Sequence, residues 1–272
     1  MARAFLERKG CEEARLEAEL LVASALSTDR LGLFMNLERP VEGSEIDAAR
    51  DLLVRRGRRE PVAYITGLRE FYGRDFRVTR DVLIPRPETE LLVDLARAWA
   101  AARGTESQLS VLDMGTGSGC LAVTLALELP QAKVVAVDAF EPTLAVAQDN
   151  ATRLGAEVDL RLGDGFGSLD ESFDLIVCNP PYVDPGDLEG LAPEVRDFEP
   201  HPALFAPAGD PDHWVRQVVE SLPRLSARPG LALVELGLGQ AERVLRIARD
   251  AGFDADLEPD LSGIERVLQI RT

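Results

Sequence analysis

Val111-Leu-Asp-Met-Gly-Thr-Gly-Ser-Gly119 stands between an apolar run from Leu109 to Asp113 and an apolar helical stretch that begins near Cys120. Gly115, Gly117 and Gly119 let the backbone turn sharply and approach a ligand with no Cβ in the way. Their G-x-G-x-G spacing departs from the G-x-G-x-x-G of dinucleotide binding, which argues against a nicotinamide enzyme. Asp113, just ahead of the glycines, is placed to bind an ammonium group. Taken alone, the stretch also reads as a tight strand-to-helix turn with no ligand.

Outward from this turn, strands alternate with helices. A helix from about Glu88 to Ala102 precedes it, and Lys133 to Val137, Val158 to Leu162, Phe173 to Cys178 and Leu231 to Glu235 are further strand-like runs. The segment from about Asp254 to Ile270 can form two more strands. This succession predicts an α/β fold with a Rossmann-like, doubly wound and mostly parallel sheet, whose ligands bind at the carboxyl ends of the strands. Ahead of it, apolar positions recur at helical spacing from Glu12 to Leu26 and again from Ser44 to Val54, with Ser44 as the expected N-cap. Residues 1–68 therefore read as a small helical domain, 69–87 as a β-hairpin linker built from the alternation of Phe71 to Leu83 around Gly73 and Asp81, and 88–272 as the main domain.

At 272 residues and 46% hydrophobic, the chain can bury a core for both domains. Its apolar runs fall short of the roughly 20 residues that cross a bilayer, and no basic-then-apolar leader follows Met1, so a cytoplasmic location away from membranes is the default. Three scattered cysteines and two histidines suggest neither disulfides nor a metal site. The formal charge of −17 is unevenly distributed: residues 1–80 hold 15 basic against 14 acidic side chains, which leaves 15 against 33 for the rest. A main domain this acidic repels polyanions, so stable nucleic-acid binding is not expected. The cluster Arg55, Arg56, Arg58, Arg59 is the exception, and it reads more simply as a solvated helix C-terminus.

Two carboxylates extend the glycine-loop reading. Asp138 follows the second strand, where a doubly wound fold binds the hydroxyls of a ribose, although such an aspartate also serves as a helix cap. Asp164 after the third strand is placed to accept from an adenine amino group, with Phe166 offering a face to the ring; a plain turn residue is the alternative.

Cys178-Asn-Pro-Pro-Tyr-Val183 closes the fourth strand. Adjacent prolines remove two backbone donors and stiffen the chain, leaving carbonyls to face a cleft. A planar nitrogen attacking a methyl sulfonium can donate its two N–H bonds to the Asn179 side-chain oxygen and the Pro180 carbonyl, with Tyr182 packing on the planar group. That chemistry needs neither metal nor histidine.

Together, the glycine loop, Asp138 and Asn179 through Tyr182 resemble the class I methyltransferases that modify exocyclic or amide nitrogens. Within that group, Glu60-Pro-Val-Ala-Tyr-Ile-Thr-Gly67, Phe71-Tyr-Gly73 and Val82-Leu-Ile-Pro-Arg-Pro-Glu-Thr-Glu90 closely resemble the release-factor glutamine methyltransferases, called HemK or PrmC. The resemblance continues in Val195 to Pro200, in Glu235-Leu-Gly237 with Gln240, and in Asp260 to Gly263 with Arg266. It implies S-adenosyl-L-methionine as cofactor, S-adenosyl-L-homocysteine as product, and as substrate the glutamine in the Gly-Gly-Gln loop of class 1 peptide-chain release factors, recognised by the helical domain. It further implies that Asp113, Gly115, Thr116, Gly117, Ser118, Gly119, Asp138, Asp164, Gly165 and Asn179 bind the cofactor. Asn179, Pro180, Pro181 and Tyr182 would hold the glutamine, with Arg86 and Glu88 at the entrance; an N-terminal cap with a flanking ion pair is the other reading of those two. A monomer is expected. Gly165, Ala206-Pro-Ala-Gly209 and Ile264 depart from the family pattern without touching the chemistry. The competing functions are a nucleic-acid amino-methyltransferase (adenine N6 or guanine N2) and a non-catalytic module that binds the release factor.

Overall fold

In the computed structural model, residues 1–104 and 108–272 are described. They fall into two compact units, Met1–Leu68 with Leu191–Phe198, and Arg69–Gly190 with Glu199–Thr272.

The first unit is helical: Ala2–Arg8, Ala14–Ala25, Arg30–Met35, Gly43–Gly57 and Val62–Thr66, joined by Pro193–Phe198. Leu6, Ala14, Ala18, Leu21 and Ile65 form its core. The Gly43–Gly57 helix starts earlier than its apolar spacing predicts. Its cap is Glu42 rather than Ser44, in a reciprocal capping box with Glu45 that satisfies two otherwise orphaned donors. Three of the four arginines at the other end of this helix are paired with carboxylates rather than solvated; only Arg58 is exposed. Arg56 is only 4% exposed and donates to Glu17 at 2.8 Å and to Glu194 at 2.7 Å. Arg59 reaches Glu194 at 2.8 Å, and Arg55 grips Glu60 through two 2.8 Å bonds. A guanidinium this buried must be paired, because leaving one partner uncompensated costs about 3–5 kcal/mol.

The second unit opens with a hairpin, β1 (Leu68–Phe71) and β2 (Arg74–Arg77), turning at Tyr72 and Gly73. The alternation that runs on to Leu83 lies beyond β2 and outside the hairpin. A seven-stranded sheet follows: β3 (Ser110–Met114), β4 (Lys133–Asp138), β5 (Val158–Leu162), β6 (Phe173–Cys178), β7 (Ser226–Glu235), β8 (Asp254–Pro259) and β9 (Glu265–Arg271). The order is β5-β4-β3-β6-β7-β9-β8; the first five strands in this order are parallel, and β9 is antiparallel to both β7 and β8. Buried on both faces, the central strands β3, β4 and β6 read as near-continuous apolar runs, whereas the edge strands β5 and β8 are partly exposed. Leu112, Val135, Ile176, Ala232 and Leu268 pack under the helices His213–Leu225 and Ala241–Asp250. Val111, Val134, Leu175, Leu233 and Val267 face Glu90–Arg103 and Cys120–Glu128 on the other side, together with Phe71 and Phe76 of the hairpin. Fully burying each Leu, Ile or Val contributes roughly 1.5–3 kcal/mol, so the two cores hold the sheet rigidly. The strand order reverses between β3 and its neighbours β4 and β6, which opens a crevice beyond their carboxyl ends.

Candidate active site

A cavity of about 610 Å³ occupies that crevice, the size of a small-molecule site. Four chain segments leave the sheet along its wall: Met114, Gly115 and Gly117 of the first, Asp138 to Phe140, Gly163 to Gly165, and Cys178 to Pro181. Phe205 and Trp214 contribute aromatic surface to the same wall.

The glycine loop is held from below. Gly115 and Thr116 both donate to the Val137 carbonyl, at 2.9 and 3.0 Å, which bends β3 over the end of β4. Gly115 and Gly117 take positive φ values of 72° and 56° and line the cavity with bare backbone. Gly119 serves packing instead: a Cβ there would come within 3.1 Å of the Ala147 Cβ. Asp113, Thr116 and Ser118 are buried beneath the loop and are not part of the cavity wall. Asp113 Oδ2 accepts from Thr116 Oγ1 at 2.7 Å and from the Ala122 amide at 3.1 Å, whereas its Oδ1 has no partner among the described residues. Burial pushes this carboxyl up to about 7. The Ser118 carbonyl accepts from the Asn150 amide at 2.8 Å, tying the loop to the helix Glu141–Leu154.

Asp138 does face the cavity. Its Oδ2 accepts from Gly117 N at 3.0 Å and its Oδ1 from Phe140 N at 3.2 Å, so one carboxylate ties the first loop to the second. Burial raises its pKa against the lowering effect of those amides. Asp164 and Gly165 lie on the wall as well. Phe166 does not, because its ring is spent in the core beside Leu169 and Val215. The aromatic surface comes instead from Phe140, half exposed one residue beyond Asp138-Ala139, and from Trp214, both of which sequence reading missed. Phe140 carried a legible signal, since an exposed aromatic directly after the ribose acid has no core to join.

Asn179, Pro180 and Pro181 form the far wall. Asn179 Nδ2 donates to Thr89 Oγ1 at 3.1 Å, which commits the amide nitrogen and leaves its oxygen as the free acceptor. Among the described residues no donor takes the Pro180 carbonyl. Tyr182 lies just outside the cavity, against Gly237, where an added Cβ would stand 2.7 Å from the ring. Burial pushes its hydroxyl up to about 12, so the ring meets the site neutral. Beyond it, Val183 and Ala206 exchange backbone contacts, with Ala206 N donating to the Val183 carbonyl at 2.9 Å. Arg86 and Glu88 are not in the wall. Arg86 is held 2.5 Å from the buried Glu199, which also accepts from Ile84 N at 3.1 Å, while Glu88 is exposed. The residue of this segment that reaches the site is their neighbour Thr89.

A crevice of apolar walls, three carboxylates (Asp81, Asp138 and Asp164), bare glycine backbone and two unclaimed carbonyl-type acceptors suits a nucleotide-like cofactor beside a planar nitrogen. Known proteins share the architecture. A methyltransferase from Pyrococcus furiosus superposes with a TM-score of 0.52 at 17% identity, covering 74% of this chain and 90% of its own. The hMettl16 catalytic domain, solved in complex with the MAT2A 3'UTR hairpin 6, gives 0.59 at 18% identity over 77% and 79%. Both establish the class I methyltransferase fold and nothing finer. Sequence relatives are far nearer. Proteins named release factor glutamine methyltransferase are 46% identical in Geobacter sulfurreducens, over 98% of this chain and 92% of theirs. Those from Koribacter versatilis (42%, over 97% and 93%) and Cereibacter sphaeroides (40%, over 98% and 94%) are similar in extent. The chain belongs to the release factor glutamine methyltransferase family. Two family models divide it, the PrmC N-terminal domain over residues 1–67 and the methyltransferase small domain over 91–192. As a member of the release factor glutamine methyltransferase family it is a methyltransferase, and among the described residues no helix is long and apolar enough to cross a membrane.

Proposed function

We propose that this chain transfers a methyl group from S-adenosyl-L-methionine to the side-chain amide nitrogen of the glutamine in the Gly-Gly-Gln loop of a peptide-chain release factor: the sulfur–methyl bond breaks as the nitrogen–methyl bond forms, S-adenosyl-L-homocysteine leaves, and the nitrogen gives up one proton to solvent. The observation that carries it is the Asn179 amide, whose nitrogen is committed to Thr89 and whose oxygen is left to receive an N–H in a cavity wall.

The residues present fit the cofactor. Gly115 and Gly117 admit close approach, Asp138 offers its carboxylate to a ribose diol, Asp164 and Phe140 suit an adenine edge and face, and Asp113 Oδ1 is a buried acceptor left over behind the loop. When bound, the cofactor supplies an electrophilic methyl group on a sulfonium. A glutamine amide nitrogen is a poor nucleophile, since its lone pair is delocalised into the carbonyl. Accepting both of its N–H bonds at the Asn179 oxygen and the Pro180 carbonyl orients the nitrogen and stabilises the positive charge that develops on it. Pro180 and Pro181 stiffen the chain that presents these oxygens, so little reorganisation accompanies the reaction. The helical residues 1–67 recognise the release factor, which keeps substrate selection apart from the chemistry.

The test is incubation of the pure protein with labelled S-adenosyl-L-methionine and either recombinant release factor or duplex DNA and RNA, with the label located by mass spectrometry. Label on the glutamine of the Gly-Gly-Gln loop, falling about 10²–10³-fold with Asn179→Ala, is the expected result. Label confined to nucleic acid overturns it.

A further inference from the structure

The second residue of the helix His213–Leu225 is Trp214, a half-buried indole in the cavity wall. A Cβ built on Gly165 would meet one atom within 4 Å, Trp214 Cζ3, at 4.0 Å. Gly165 turns there with a φ of 67°, so the backbone that follows β5 passes the indole with no side chain between them.

The helix that carries the indole is tied down at both ends. Gln240 Nε2 and Arg243 Nε reach Asp212, just ahead of it, at 3.0 and 2.8 Å. Near its end, Arg224 donates to the Phe166 carbonyl at 2.7 Å and also to the Leu169 carbonyl, which binds the helix to the loop that carries Gly165. Val215, Val218 and Leu222 bury the inner face of the helix in the core. Trp214 is left at the rim. Its Nε1–H is buried with no acceptor among the described residues, and the His213 ring meets the indole edge-on at 5.1 Å. A tryptophan kept for its hydrogen bond would have a partner, so this one serves through the face of its ring.

Strand order fixes which part of a bound cofactor lies at this end. Asn179 follows β6 and Gly165 follows β5, with β3 and β4 between them, so these two parts of the wall stand three strand spacings apart, about 14 Å. In the proposed reaction the methyl group is transferred at the Asn179 end. Phe205 belongs to that end too, bridged to Val183. Asp138, after β4, takes the ribose between the two. What reaches β5 is the group furthest from the sulfonium, the adenine. A purine stacks on an indole face whatever its edge carries, so the face sets the plane of the base and Asp164 selects the amino edge.

We propose that Trp214 is a cofactor-binding residue, the platform on which the adenine ring of S-adenosyl-L-methionine stacks, and that Gly165 is the position that exposes it. This rests on the cofactor assigned above. A larger side chain at 165 would strain the positive φ and stand between indole and base.

The sequence holds two tryptophans, and Trp99 lies on the other face of the sheet against Arg103, outside the cavity wall. Tryptophan emission of the full-length protein, titrated with S-adenosyl-L-homocysteine, therefore reads the stacking, with calorimetry as the independent measure of binding. A saturable quench is expected in the wild type, retained in Trp99→Phe and lost in Trp214→Phe, which keeps a smaller ring and binds within about threefold. Adenosine alone reproduces the quench and homocysteine alone does not. Trp214→Ala and Gly165→Leu each weaken binding about tenfold or more, whereas Asp164→Asn weakens it and leaves the quench at saturation intact. A quench that survives Trp214→Phe, one produced by homocysteine and not by adenosine, or a Trp214→Ala variant that binds like the wild type overturns the proposal. Trp214→Phe, which fills most of the same space, decides the matter if Trp214→Ala does not fold. No release factor enters these titrations. A chain that binds and quenches but methylates no release factor loses the proposed function and keeps this inference, whereas calorimetry that detects no binding overturns both.

Discussion

The two walls of the cavity are built in opposite ways. On the cofactor side, the glycine loop and Asp138 lie within 26 residues of one another, and their hydrogen bonds close on that stretch and its near neighbours Phe140 and Asn150. On the acceptor side, Asn179 is held by Thr89, ninety positions upstream, and Tyr182 rests on Gly237, fifty-five positions downstream. The first wall is a local motif that folds largely as a unit. The second exists only once β6, β7 and the start of the Glu90–Arg103 helix have come together.

The largest effect that separates them is on stability. Asp113 and Glu235 are each raised to about 7, so their charged forms are disfavoured in the folded chain. Their contribution is therefore complete below the unfolded carboxyl range and is lost as pH rises through about 7. Urea unfolding between about pH 5 and 8 should show a loss on the order of a few kcal/mol, and Asp113→Asn should remove about half of it. Stability that does not decline would mean the glycine loop rests on a charged, compensated carboxylate.

Next in size, Asp138→Ala removes a ligand contact and the Gly117–Phe140 tie together. It should weaken S-adenosyl-L-homocysteine about 10–100-fold by calorimetry, since each hydrogen bond to a charged group contributes about 1.5–3 kcal/mol. Unchanged affinity would reduce the residue to a loop brace. Gly237→Ala strikes the other wall: a Cβ 2.7 Å from the Tyr182 ring displaces it. Turnover should fall about tenfold while homocysteine-product affinity holds within about twofold. If affinity falls as well, the two walls are coupled and the comparison fails. The smallest effect belongs to Phe140→Ala, about threefold to tenfold on product affinity, the worth of one stacking face.

Much of this was legible beforehand. The strand Phe173–Cys178 matches its apolar run to the residue, because a parallel strand buried on both faces has little polar phase to blur its ends; Val158–Leu162 matches too, although it is a half-exposed edge strand whose Asp159 and Arg161 break the apolar run. Helix starts were less legible: Ser44 looked like a cap, but the Glu42–Glu45 box satisfies two donors at once and moved the boundary upstream. Phe166 looked like the adenine platform and proved to be core, since an aromatic in a turn carries no mark of which way it points. The arginine cluster looked solvated because its partner Glu194 stands more than a hundred residues away.

Local spacing by itself determined the sheet, the glycine loop, Asp138 and the Asn-Pro-Pro-Tyr turn, because each follows from backbone geometry within a few residues. Only the tertiary structure decided that Asp113, Thr116 and Ser118 lie beneath the loop, that Arg86 is bound to Glu199, and that Thr89 stands behind Asn179. Those are pairings between groups brought together by sheet order and burial. A hydrogen bond across ninety residues leaves no period in the sequence from which it could be read.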